Sequence, residues 1–167
     1  MSHPPCGRRS QPQSHLSEPK EFEMAGPRTI VVGVDGSKES RRAVRWACEE
    51  ARLRGLDVLA VAVWNVFPIT LEPLVGTTPW ERIGDSEKVT QETLQDIASE
   101  VAVDFPEVRI DQLVLAGHPA EELVTLSADA LMLVVGARGH GGVLELLVGS
   151  TSKHVLSHSA CTVVVVR

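Results

Sequence analysis

The chain has 167 residues, 43% hydrophobic and 23% charged, with a formal net charge of −6. That length suits one domain with a sizeable core; the composition excludes a wholly disordered chain, and the acidic balance argues against a nucleic-acid binder. No apolar run approaches the roughly 18 residues of a membrane span, and three cysteines (Cys6, Cys48, Cys161) without a CxxC pair fit a reducing compartment better than a disulfide framework.

Residues 1–27 read as a tail: stretches such as His3-Pro4-Pro5 and Glu18-Pro19-Lys20 have no periodicity and little to bury. The tail lacks the apolar segment of a signal peptide, so a cytoplasmic location is expected. Met24, just before the first regular segment, is a candidate start of translation. From Arg28 a strand–helix alternation begins, and residues 28–167 are expected to form the domain. The β-branched run Thr29 to Val34 suits a strand buried on both faces. Ser37 caps a helix running to about Arg54, with Ala43, Ala47 and Ala51 as its inner stripe, Trp46 at core or rim, and Gly55 as its stop. Leu56 to Val66 reads as a second strand, followed by an irregular connection marked by Pro68, Pro73, Gly76 and Pro79. The second helix is expected to start at a Ser86 cap, with Leu94, Ile97, Ala98 and Val101 on one face. Val108 to Leu115 is a third strand, and Pro119 opens a short helix carrying Leu123 and Leu126. Leu131 to Val135, Gly149 to about His158, and Thr162 to Val166 complete the pattern as strand, helix and strand. The expectation is an α/β domain: an open, five-stranded, Rossmann-like parallel sheet with right-handed crossovers and helices on both faces. Ligands of such sheets collect beyond the carboxyl ends of the strands near a topological switch point, so the loops after strands one and four are the ones to inspect.

Five of the 13 glycines fall between positions 136 and 149: Gly136, Gly139, Gly141, Gly142 and Gly149. Glycine lets backbone approach a ligand or adopt positive φ, and Gly149-Ser150-Thr151 opens a helix whose free N–H groups favour an anion. The stretch therefore suits a triphosphate, although a plain surface loop fits the spacing equally well. No lysine lies in the loop, so it is not a P-loop; Gly33-Val34-Asp35-Gly36-Ser37 is not a dinucleotide fingerprint, and no GxSxG elbow occurs.

The spacing Gly136-x2-Gly139-x9-Gly149-Ser150 resembles the G-2x-G-9x-G-(S/T) signature of ATP-binding universal stress proteins, and the likeness extends to Val32 through Ser37 and to Val163 through Val166. The resemblance implies one ATP per subunit of a homodimer paired through Val163 to Val166, with Mg²⁺ or Mn²⁺ as counter-ion and no metal ligand from side chains alone. It also implies Asp35 beside the nucleoside, Val63 against adenine, and Gly136, Arg138, Gly139, Gly149, Ser150 and Thr151 around ribose and phosphates. Thr162 departs from the family, which often has proline there; that touches strand entry and not the nucleotide site.

Each nominated residue also has a plainer reading. Asp35 suits a helix start on dipole grounds alone, Arg138 can be simply solvated, and His140 is an ordinary loop residue. His154 and His158, four apart on a helix, form a metal pair only with a third ligand. Gly117-His118-Pro119 is explained by a turn, and Cys48 and Cys161 by packing in buried elements. No catalytic residue is nominated. Glu145 is the only acid between the two glycine clusters, so nothing is placed to orient an attacking water. Three functions compete: a nucleotide-loaded regulatory protein with slow or no turnover, a true ATPase or nucleotidyl transferase on the same fold, and a nucleotide-free dimerising protein. For the second, the related SGGxDS-like loop is unmatched by Gly36-Ser37-Lys38-Glu39-Ser40; for the third, the intact glycine signature speaks against it.

Overall fold

The first strand, β1 (Thr29–Val34), is the middle of the molecule because every residue from Ile30 to Val32 is fully buried and has apolar partners on either side. The computed structural model describes residues 26–65, 79–139 and 148–167, with side chains in the second stretch from residue 86 onward. Met24, Cys6, His140, Gly141, Gly142, Glu145, Pro68, Pro73, Gly76 and nearly all of the expected tail lie outside the described residues. Two residues of that tail, Gly26 and Pro27, belong to a turn in which Thr29 N–H donates to the Gly26 carbonyl at 2.8 Å.

The remaining strands are β2 (Asp57–Trp64), β3 (Ile110–Ala116), β4 (Met132–Gly136) and β5 (Thr162–Val166). They form one parallel five-stranded sheet in the order β3-β2-β1-β4-β5, with Ile30 level with Val58 on one side and Met132 on the other. Helix α1 (Lys38–Arg54) and helix α2 (Pro79–Ala102) cover one face, where Ala43, Ala47, Ala51, Leu94, Ile97 and Val101 meet Ile30, Val32, Val58 and Val134. Helix α3 (Pro119–Leu126) and helix α4 (Ser150–His158) cover the other, where Leu123, Leu126 and Val155 meet Val31, Leu59 and Leu133. Alternate residues of a strand face opposite ways, so the β-branched run of β1 feeds both cores at once.

Local chemistry sets the helix ends. Ser37 is the N-cap of α1, its Oγ accepting from Ser40 N–H at 3.1 Å, and Gly55 ends the helix in the left-handed region at φ 64°. Trp46 is partly buried against the core. Pro119 occupies the first turn of α3, where its missing N–H costs nothing.

Three expectations need correction. Ser86 does not cap α2: the helix starts at Pro79, again a proline at the first position, and Ser86 lies inside it with its carbonyl accepting from Thr90 Oγ1 at 2.8 Å. Strand β3 begins at Ile110 and not Val108, because Val108 N–H is taken by the Phe105 carbonyl in a turn at 3.1 Å. Cys161 is only partly buried and precedes β5, whereas Cys48 is fully buried in α1. Among the described residues no helix is long and apolar enough to cross a membrane.

Candidate functional site

Strands β1 and β4 lie side by side, yet the chain leaves them in opposite directions. After β1 it turns onto the α1–α2 face, and α4, which follows β4, packs on the other. The divergence opens a crevice at the carboxyl ends of the strands, the place where open α/β sheets hold ligands. A cavity of about 540 Å³ occupies it, within the size range of small-molecule sites.

All eight residues nominated from sequence line this one cavity. Asp35 contributes from the end of β1, Val63 from near the end of β2, Gly136, Arg138 and Gly139 from the exit of β4, and Gly149, Ser150 and Thr151 from the start of α4. Six residues were missed that matter to its walls: Ser40, Asn65, Ser152, Val61, Leu123 and Val135. The three apolar ones are strand and helix core positions that reach the cavity floor. Ser152 had a legible signal, three residues after Gly149 and so one turn into the same helix. Ser40 and Asn65 had none.

Two glycines sit where an added carbon would displace a neighbour. A Cβ on Gly136 would stand 2.9 Å from the Glu39 backbone carbon, and one on Gly139 would overlap Asp35 Oδ2. Neither residue has positive φ. The β4 exit is thus pressed against the start of α1 and the loop after β1. Gly149 is different: a Cβ there would meet only ordinary contacts, the nearest at 3.6 Å.

The polar groups of the cavity are of two kinds. Asp35 Oδ1 accepts from Ser37 N–H at 3.0 Å and Ser37 Oγ at 2.6 Å, which fixes the carboxylate at the start of α1. The start of α4 has no side-chain cap and no acid in its first turn, while α1 carries Glu39 there and α3 carries Glu121 and Glu122. First-turn N–H groups have no partner within their own helix, so α4 presents donors and a positive dipole end to the cavity, with the hydroxyls of Ser150 and Thr151 beside them. Arg138 adds the cationic side chain of the lining. Two bonds hold this helix start to β4: Gly149 N–H donates to the Ala137 carbonyl and Ser152 Oγ–H to the Gly136 carbonyl, both at 2.7 Å.

The histidines on α4 stand apart from this. His154 and His158 stack with ring centroids 4.2 Å apart, and among the described residues no cluster of three metal-ligating side chains occurs.

The family model of the universal stress protein family matches residues 26–167. The chain belongs to that family. This universal stress protein domain is 34% identical over 141 residues to the universal stress protein Rv2005c of Mycobacterium tuberculosis, and 31% identical over 138 residues to Rv2623 of the same organism. Each match takes in 83% of the present chain but only 45% or 44% of the relative, so the chain spans about half the length of the curated relatives it matches. Its fold is similar to that of UspA from Lactobacillus plantarum, with a TM-score of 0.72 at 22% identity over 86% of this chain and 99% of the other. A universal stress protein solved in complex with cAMP has a TM-score of 0.63 at 24% identity over 84% and 97% of the two chains. One from Archaeoglobus fulgidus, in complex with dAMP, has a TM-score of 0.50 at 21% identity over 86% and 98%.

Proposed function

We propose that this universal stress protein domain, taken as residues 28–167, binds ATP in the crevice between β1 and β4 and acts through its nucleotide-loaded state. The observation that carries the reading is the convergence of all eight nominated residues on one cavity. Two fold relatives solved with adenine nucleotides, one with cAMP and one with dAMP, support the ligand class.

The residues present fit such a ligand. The cradle at Gly136 and Gly139 is one that a Cβ would fill. Asp35 is an acceptor-only group, suited to ribose hydroxyls and unsuited to phosphate. Val63 supplies apolar surface and strand-end backbone for adenine. The uncapped start of α4, the hydroxyls of Ser150 and Thr151, and Arg138 suit the phosphates. Mg²⁺ or Mn²⁺ would enter with the phosphates and neutralise part of their charge, held by them and by hydroxyls more than by protein carboxylates.

The arrangement supports holding more than hydrolysing. Phosphoryl transfer needs charge stabilisation that grows in the transition state and a group to orient the attacking nucleophile. The donors of α4 meet ground-state phosphate as well as they would meet a transition state, and Asp35 Oδ1 is engaged with Ser37. Turnover is expected far below the roughly 1–100 s⁻¹ of kinases. As a partner we propose a second copy of the chain, paired along β5, in the cytoplasm.

Acid extraction of the purified protein, followed by nucleotide assay and calorimetric titration with ATP and GTP, tests the reading. Released adenine nucleotide, or saturable ATP binding stronger than that of GTP, supports it. An empty protein with no measurable ATP affinity overturns it. Steady-state hydrolysis in the kinase range with Mg²⁺ or Mn²⁺ would move the protein to the enzyme class.

A further inference from the structure

Ser152 is a polar residue that the proposed nucleotide reading does not use. It is 4% exposed, lies on the first turn of α4 and lines the cavity. Its neighbours Ser150 and Thr151 are less buried. Burying a serine this deeply is unfavourable unless its hydroxyl is bonded, and Ser152 Oγ–H donates to the Gly136 carbonyl at 2.7 Å. A serine has one O–H donor. With that proton spent on Gly136, Ser152 offers the cavity only lone pairs, which a phosphate does not want. Its value to an anionic ligand must be indirect.

The bond has a definite geometric consequence. Gly136 is the last residue of β4, paired with Val166 of β5, and Ala137 N–H donates to the Val166 carbonyl at 2.6 Å. That carbonyl row belongs to the rigid sheet. From it, Gly136 holds Ser152 and Ala137 holds Gly149, so the first turn of α4 is fixed at two points three residues apart. Val155 packs the body of the helix into the core, and the two bonds fix its first turn and so the direction in which its N–H groups aim.

We infer that Ser152 is a positioning residue for the phosphate end of the site, setting the aim of the α4 amides through the Gly136 carbonyl without touching the ligand. The inference rests on the nucleotide reading above and adds a division of labour within it: Ser152 governs recognition of the phosphates, while the nucleoside side, built from Asp35 just after β1 and Val63 on β2, is independent of it.

The test compares ATP with adenosine on wild type, Ser152→Ala and Ser152→Thr by calorimetric or fluorescence titration. Ser152→Ala should weaken ATP binding about tenfold and leave adenosine within about twofold. Ser152→Thr, which keeps the hydroxyl, should recover most of the ATP affinity. Adenosine binding certifies that each variant is folded. Equal losses for the two ligands, no loss for either, or failure of Ser152→Ala to fold and bind adenosine would each overturn the positioning role. A wild type that binds neither ligand would instead remove the nucleotide reading itself.

Discussion

Gly139 lies against the carboxylate of Asp35, so closely that a single added carbon on the glycine would overlap Asp35 Oδ2. Two loops that leave neighbouring strands therefore touch across the switch point. A side chain at 139 would force the Asp35 carboxylate or the loop to move.

Gly139→Ala should accordingly displace Asp35 or lift the loop, lowering ATP affinity about tenfold or more with the fold intact. Gly149→Ala, whose new carbon meets only ordinary contacts at 3.6 Å, should stay within about threefold of wild type. Titration of the two variants side by side checks the contrast. Equal behaviour would show that Gly139 is not in the nucleotide wall.

Gly149→Asp should move stability and affinity in opposite directions. Asp is a strong N-cap and its charge suits a helix start, so the variant should gain a few tenths to about 1 kcal/mol in thermal unfolding. The same carboxylate would occupy the amides of α4 and repel phosphate. A rise in melting temperature with near-complete loss of ATP binding is the expected pair; a stabilised variant that still binds ATP would place the phosphates elsewhere.

Strand β5 is a sheet edge, apolar from Val163 to Val166 and only half-buried. Such an edge invites pairing with another copy, and a lysine on it opposes that. Light scattering should find a dimer for the wild type and a shift toward monomer for Val164→Lys. A monomeric wild type refutes the pairing.

Burial raises the Cys48 thiol from 9.0 to about 11, with Arg45 offsetting part of the effect. Between those values the unfolded chain has released its proton while the folded chain retains it, so the unfolded state binds fewer protons and stability falls as pH rises from about 9 to about 11. Below pH 9 the contribution is constant. Denaturant melts across this window should show a steeper decline for the wild type than for Cys48→Ala, and thiol reagents at pH 7 should react with Cys48 only on unfolding.

The fold was legible because β1 and β5 are β-branched runs and β4 an apolar one, and because Ser37, Gly55 and Pro119 mark helix ends by local chemistry alone. The start of α2 was not: Ser86 is as good a cap by type as Ser37, and only the observed course of the chain from Pro79 distinguishes them. The candidate site was legible through its glycine spacing, yet for a reason only partly foreseen. At Gly136 and Gly139 glycine is favoured by the nearness of the Glu39 backbone and the Asp35 carboxylate, a long-range packing fact, and not by positive φ. The place of Ser152 on the helix start was legible, but its bond was not, because the Gly136 carbonyl is 16 residues away in sequence.

The unlike polar groups of the cavity have a consequence for how a nucleotide would arrive. A nucleotide is itself lopsided, neutral at the base and strongly negative at the tail, and an electric field exerts a torque on such a molecule before any contact forms. In the proposed reading, Arg138 and the acid-free, uncapped turn of α4 would draw the negative tail of an approaching nucleotide toward α4. That torque weakens as ions shorten the range of the field, to about 8 Å at physiological ionic strength. Added salt should therefore slow the capture of ATP far more than that of adenosine.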